Sequence, residues 1–258
     1  MYIHNLSPEL WGAGFFSIRY YSLAYILGML AVYLVFWYAI KKKHIALSYK
    51  QLDSLLLYLF VGLVIGGRIG YFLLYNPVIF VADPLRILAV WNGGMAFHGG
   101  LLGGILAVIV FAKRNNIRIH QLSDILVIPI SFTLIFGRLA NWINGELVGT
   151  PTKVPWCVIF PNTDNICRHP SQLYEAAKNV LLFGATSYTY WRHSLGKLKE
   201  GVPTYTFIAG YGILRFIVTF WRADPDFLWI FSRGQTYSLV MAIVGIAMLI
   251  YLQRNKNV

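Results

Sequence analysis

Charge is what this sequence has least of. Only 12% of its residues are Asp, Glu, Lys or Arg, about half the share found in an ordinary soluble domain. Acids are scarcer still, 10 against 22 Lys and Arg. A 258-residue chain that is 57% hydrophobic and so poorly charged falls outside the soluble globular class, and its length then counts membrane spans rather than soluble domains. Cysteine is nearly missing, with Cys157 and Cys167 alone. No His/Cys cluster has zinc-ligand spacing, so no metal is expected. The two cysteines, ten positions apart, fit either a local disulfide or two free thiols. There is no low-complexity segment. Residues 1–16 lack the basic start and the small-residue cleavage site of a signal peptide, so the first apolar stretch is expected to be retained.

What the chain does have is long apolar runs. Seven of them reach the roughly 17–25 residues needed to cross a bilayer. They lie near 17–39, 52–75, 96–112, 122–143, 172–191, 203–221 and 235–252. The expectation is an all-α, polytopic integral membrane protein forming one membrane domain over 1–258, with 144–171 as its longest connecting segment. That segment holds Pro151, Pro155, Pro161 and Pro170, and it is either a cover over a site or a passive connector. The basic residues orient the chain. Lys41, Lys42, Lys43, Lys50, Lys113, Arg114, Arg118, Arg192, Lys197, Lys199, Arg254 and Lys256 fall on one side; Arg19, Arg86, Lys153, Arg168, Arg222 and Arg233 fall on the other. The richer side is cytoplasmic by the positive-inside rule. The N-terminus is then outside and the C-terminus inside. A net charge of +12 suits anionic lipid headgroups and calls for no nucleic acid.

Orientation turns scattered polar residues into a candidate site. Arg68, Arg138, Arg215 and Arg222, together with His98 at the start of the third span, all fall in the outer half of the membrane. Charge at that depth is costly and marks a bundle interior or a polar cavity. Few carboxylates are in reach: Glu146, Glu175, Asp224 and Asp226. A lipid phosphate is the natural remaining partner, because guanidinium grips phosphate oxygens bidentately. For Arg68, an ion pair or snorkelling to the interface is an equal reading. Gly99, Gly100, Gly103 and Gly104 make a smooth helix face after His98. Close helix packing accounts for Gly103 and Gly104, while Gly99 and Gly100 beside His98 would admit a bulky headgroup. Ser171 is a candidate N-cap for the fifth helix, with Gln172 and Glu175 a turn apart.

The stretch Gly137-Arg138-Leu139-Ala140-Asn141-Trp142-Ile143-Asn144-Gly145-Glu146-Leu147-Val148-Gly149 closely resembles the signature Gly-Arg-x-x-Asn-Phe-x-Asn-Gly-Glu-x-x-Gly of the prolipoprotein diacylglyceryl transferase family. Trp142 replaces the family's Phe. Gly66-Gly67-Arg68-Ile69-Gly70-Tyr71, Phe97-His98-Gly99-Gly100-Leu101, His169-Pro170-Ser171-Gln172-Leu173-Tyr174-Glu175 and Gly210-Tyr211-Gly212 with Arg215 are similar to other stretches of that family, in the same order and across most of the chain. One departure stands out: Thr219 occupies a position where the family commonly carries an acid between the last two arginines. If an Arg–carboxylate pair is needed there, Glu146 or an outer-loop Asp is expected to supply it.

The resemblance implies an enzyme of the bacterial plasma (inner) membrane, with its active site in the outer half of the bilayer. It would transfer the diacylglyceryl group of phosphatidylglycerol to the thiol of the lipobox cysteine behind a prolipoprotein signal peptide, forming a thioether and releasing glycerol phosphate. It implies His98, Arg138 and Arg215 as catalytic candidates. Arg138, Tyr21, Arg68, Gly99, Asn141, Asn144, Glu146, Gly149, Tyr211 and Arg222 are its lipid-binding candidates. No cofactor is implied. His98 is the best base by residue type; the competing account has the arginine field alone favouring the thiolate. From another class altogether, a transporter for an anionic solute would place buried arginines equally well.

Overall fold

The computed structural model describes residues 2–13, 16–78, 83–89, 93–223, 227–228 and 230–255. Seven long α-helices carry the described fold: α1 (Tyr20–Lys41), α2 (Tyr49–Tyr75), α3 (Phe97–Arg114), α4 (Ile119–Asn144), α5 (Ser171–Ser194), α6 (Val202–Thr219) and α7 (Arg233–Arg254). Their ends lie within three residues of the boundaries that apolar run length predicts. Five of them, α1 to α4 and α7, are long and apolar enough to cross a membrane. The sequence of α5 is interrupted by Glu175, Lys178 and Asn179, and α6 by Arg215. The first apolar stretch begins as strand rather than helix. Here β2 (Glu9–Ala13) and β3 (Phe16–Arg19) pair antiparallel, after the short β1 (Tyr2–Ile3).

Local chemistry sets several helix starts. Ser48 and Gln51 form a capping box on α2, and Ser232 and Gln235 form one on α7, each satisfying backbone N–H groups that a helix start leaves without partners. A buried carboxylate does the same work for α6 from a distance: Asp124 accepts from Gly201 N at 2.6 Å and Thr204 N at 3.0 Å. Ser171 does not cap α5; its hydroxyl donates to the Leu147 carbonyl at 2.8 Å instead.

The chain divides into two compact units, Phe36–Ser123 on one hand and Met1–Val35 with Asp124–Val258 on the other. In the first, α2 and α3 cross on matched glycines. A Cβ on Gly99 would overlap the Gly66 carbonyl and the Gly70 Cα, and one on Gly103 would overlap the Gly62 carbonyl and Gly66. Small residues at this spacing let two backbones meet. The packing face is therefore Gly99 with Gly103, and on its Cβ side Gly99 meets the α2 backbone rather than open space. Gly104, by contrast, would meet only the Leu63 side chain at ordinary distance. Gly103→Leu should cost about 1–3 kcal/mol, the range for overpacking a close contact, and Gly104→Ala almost nothing. Thermal unfolding of the two variants in detergent checks this; equal midpoints would remove the backbone crossing as the reason for Gly103.

In the second unit, α5 packs on α6 and α6 on α7. Gly212 lies against Ser238 and Ala242, and Gly245 against Ala209, drawing α6 onto α7. Polar links join α4 to α5: Ser131 and Thr186 hydroxyls at 3.1 Å, and Asn179 Nδ2 donating to the Leu134 carbonyl at 3.0 Å. The connecting segment after α4 is ordered. Its β4 (Val158–Ile159) pairs with β1 in parallel and with β5 (Cys167–Arg168) antiparallel. Cys157 and Cys167 are joined by a disulfide with Cα atoms 5.4 Å apart. Gln172 Nε2 donates to the Glu146 carbonyl at 2.7 Å, and Thr150 N to the Trp221 carbonyl at 3.1 Å. These bonds bring the end of α4, the start of α5 and the end of α6 to one end of this unit.

Candidate active site

At that end, one buried carboxylate is shared by four cations. Glu175, in the first turns of α5, is 1% exposed. Its Oε1 receives Arg215 Nη1 and, at 3.3 Å, Arg222 Nη1. Its Oε2 lies 3.3 Å from Arg138 Nε and 3.6 Å from Lys178 Nζ. Three elements supply the basic groups: Arg138 from the last turns of α4, Lys178 from α5, and Arg215 near the end of α6, with Arg222 just beyond it. The backbone of Arg222 is fixed by an antiparallel bridge to Gly149. Burying ions costs several kcal/mol each unless they are paired. Glu175 is thus the meeting point of basic side chains from three helices and the turn that follows the last of them.

A second network adjoins the first through Asn141, which is 4% exposed. Its Oδ1 accepts from Arg138 Nη1 at 3.3 Å. Its Nδ2 donates to Glu146 Oε1 at 2.9 Å and also to the Tyr21 hydroxyl. Asn144 Nδ2 reaches the same Glu146 oxygen at 3.3 Å. Arg138, Asn141, Asn144 and Glu146 thus stand on or just past the last two turns of α4, with Tyr21 reaching in from the first turn of α1. Tyr211, from α6, presents its ring face to Lys178 Nζ at 4.2 Å. The structure therefore brings Tyr21, Arg138, Asn141, Asn144, Glu146, Tyr211, Arg215 and Arg222 into one connected constellation.

Gly149 stands at a backbone crossing: its N–H donates to the His169 carbonyl at 3.1 Å, and a Cβ there would overlap the His169 and Trp221 carbonyls. Arg68 departs from expectation. It is 2% exposed, and its guanidinium donates to the carbonyls of Arg86, Ile87, Ala89, Gly93 and Gly94. A guanidinium has five N–H groups, and all five are engaged by backbone, so Arg68 organises the segment after α2 and has no donor left for a phosphate. His98 lies exposed in the first turn of α3, with its ring edge-on to Phe97 at 5.6 Å between centroids.

One participant was missed in the sequence, and another was named without its role. Glu175, one of the four carboxylates in reach, is the partner of the arginine cluster, where Glu146 or an outer-loop Asp was expected; Asp224 and Asp226 lie outside the described residues. Lys178 is the basic group that was missed. Their signal was a Glu and a Lys at i, i+3 inside an otherwise apolar run. Thr219 is buried and donates back to the Arg215 carbonyl at 2.7 Å, so it braces the helix turn that carries Arg215. In the connecting segment, hydrogen bonds from Arg168 hold the Asp164 carboxyl below the usual range. Burial holds the His169 imidazole below its ordinary value, with Nδ1 3.1 Å from the Tyr174 hydroxyl.

A family model described as prolipoprotein diacylglyceryl transferase matches residues 8–251. Curated relatives carry the name phosphatidylglycerol–prolipoprotein diacylglyceryl transferase. One from Wolbachia pipientis subsp. Culex pipiens (strain wPip) is 41% identical, covering 96% of this chain and 95% of its own. One from Geobacter sulfurreducens is 39% identical over 99% of both chains. A third, from Sinorhizobium medicae (strain WSM419), is 40% identical over 94% of this chain and 90% of its own.

Proposed function

This chain belongs to the prolipoprotein diacylglyceryl transferase family, and from that premise we propose that it transfers the diacylglyceryl group of phosphatidylglycerol to the thiol of a prolipoprotein's lipobox cysteine. The observation that carries the reading for this chain's own residues is the meeting of Arg138, Arg215 and Arg222 at Glu175. The acceptor sulfur forms a bond to the glycerol carbon of the lipid, and that carbon's bond to the phosphate oxygen breaks. The electron pair stays on the phosphate, whose charge rises from −1 to −2 as glycerol phosphate leaves. Fixed cations aimed at developing charge lower such a barrier. Arg138 and Arg215 are the candidates to hold the phosphate, with Arg222 beside them. Tyr21, Asn141, Asn144, Glu146 and Tyr211 position lipid and peptide.

The setting we propose is the bacterial inner membrane, crossed seven times with the N-terminus outside and the cluster in the outer half of the bilayer. The bias of Lys and Arg between the loops supports that orientation. The Cys157–Cys167 disulfide supports it independently, since such bonds persist on the oxidising side. The thiol proton needs an acceptor. His98 suits by residue type; the cation field lowering the thiol's own proton affinity is the competing account.

Transfer of labelled diacylglycerol from phosphatidylglycerol to a lipobox peptide, with wild type beside His98→Gln, tests both points. Activity in wild type and none in the variant across pH makes His98 necessary. A variant that recovers as pH rises shows that the thiolate forms without it. A folded wild type inert with every anionic lipid, but carrying an anion across liposome membranes, would overturn the transferase reading.

A further inference from the structure

We propose that His4 is a positioning residue for the transfer reaction: its ring locks the turn that ends α4, and through that turn it holds Asn141, Asn144 and Glu146 in place. The proposal rests on the transferase reading. His4 itself precedes residues 8–251, the stretch that the family model matches.

The turn is tight. Gly145 N–H donates to the Trp142 carbonyl at 3.0 Å and Glu146 N–H to the Asn141 carbonyl at 3.1 Å, with Gly145 at φ 66°. Two such bonds around a left-handed glycine close a helix in the Schellman pattern, which an apolar contact between the two flanking side chains frequently accompanies. Here the flanking residues are Asn141 and Glu146, and Asn141 Nδ2 donates to Glu146 Oε1 at 2.9 Å. The turn therefore sets the spacing of the network. Asn141 also holds the Tyr21 hydroxyl, and Glu146 also accepts from Asn144, so a frayed helix end would loosen all four side chains.

The last carbonyls of a helix need donors from outside it. His4 supplies one from 138 positions away in sequence: Nε2 lies 2.7 Å from the Trp142 carbonyl oxygen. A carbonyl only accepts, so Nε2 carries the hydrogen, and the oxygen serves Gly145 with one lone pair and His4 with the other. The place of the ring is built. His4 is 6% exposed, with ring centroids 5.2 Å from Phe160 and 5.4 Å from Trp142. Its backbone N–H donates to the Ile159 carbonyl at 2.9 Å, continuing the parallel pairing of β1 with β4. In turn, β4 is paired with β5 beside the Cys157–Cys167 disulfide. The donor is thus aimed by a cross-linked hairpin and not by α4 itself, which lets it resist fraying of α4.

Three substitutions read this bond. The amide of His4→Gln reaches the place of Nε2, that of His4→Asn only the place of Nδ1, and His4→Phe keeps the ring packing without a donor. In His4→Phe, transfer of diacylglycerol to a lipobox peptide should fall about tenfold, a part of the loss that a misplacement of about 1 Å brings. His4→Gln should stay within about threefold of wild type and exceed His4→Asn about fivefold, because only the longer amide restores the hydrogen bond. Hydrogen exchange of the Gly145 and Glu146 amides should be about tenfold faster in His4→Phe and close to the wild-type rate in His4→Gln. If His4→Phe does not fold, the Gln and Asn variants decide. Wild-type transfer by His4→Phe overturns the proposal. So do equal activities of the Gln and Asn variants, because a histidine that only fills space would not rank them by the reach of their amides. Exchange at Gly145 and Glu146 that no substitution alters, in a protein that transfers normally as wild type, overturns the proposal and leaves the transferase reading standing. A wild type that transfers nothing removes that reading first, and the proposal with it.

Discussion

Glu175→Gln should remove transfer by at least about a hundredfold and destabilise the protein by about 3–5 kcal/mol. The second figure is the usual cost of taking one partner out of a buried ion pair and leaving the other behind. Here four partners are left. Arg138, Arg215, Arg222 and Lys178 all meet at this one carboxylate, and the side chains of the first three are only 12–17% exposed. A neutral amide of the same size keeps the packing but leaves the cations facing one another. The activity loss follows from geometry: without the carboxylate, no fixed acceptor aims the two arginines proposed to hold the phosphate, and a misplacement of about 1 Å costs on the order of a hundredfold. Thermal unfolding in detergent and the transfer assay read the two effects separately. Added phosphate should raise the variant's midpoint more than the wild type's, because the vacated position then welcomes an anion. Equal stability of variant and wild type would show that the guanidinium groups have other anchors and that Glu175 is not their hub.

The architecture was legible for a plain reason. A bilayer imposes a length and a composition on a crossing segment; the apolar runs match all seven helices to within three residues, and five of those helices are long and apolar enough to cross a membrane. Arg138, Arg215 and Arg222 were legible as a group because buried charge is rare and span order set them at one end. What stayed hidden was pairing. Glu175 was one of four carboxylates named as in reach of the arginines, but Glu146 or an outer-loop Asp was expected as their partner, although a Glu three residues before a Lys already announced an ion pair within α5. Arg68 was misjudged because its partners are backbone carbonyls of Arg86, Ile87, Ala89, Gly93 and Gly94, and no side-chain pattern records those. The packing of Gly99 had a clue in the sequence: Gly62, Gly66 and Gly70 on one helix repeat at the same four-residue step as Gly99 and Gly103 on the next. Two combs of equal pitch mesh, and only their phase, which depends on the crossing, needed coordinates.

Arg138→Ala should abolish transfer, by about a thousandfold or more, while the protein still inserts and folds. Arg138 is the residue through which the two halves of the site communicate. Its Nε lies 3.3 Å from Glu175 Oε2, and its Nη1 donates to Asn141 Oδ1 at 3.3 Å. The first contact belongs to the cation cluster and the second to the Asn141–Glu146–Tyr21 network. Loss of a single preorganised donor to developing charge typically costs 10²–10³ in kcat; here the loss also unties Asn141. Arg138→Lys should recover little, because an ammonium is one point charge and cannot serve two acceptors with the planar fork of a guanidinium. Folding should survive either change, since Arg215, Arg222 and Lys178 still neutralise Glu175 and the apolar length of α4 is untouched. Membrane fractionation and unfolding midpoints check the second half of this expectation, and the transfer assay checks the first. Normal turnover by Arg138→Ala would mean that the phosphate is held by Arg215 and Arg222 alone, and that the contact between Arg138 and Asn141 only ties α4 to the segment that follows it.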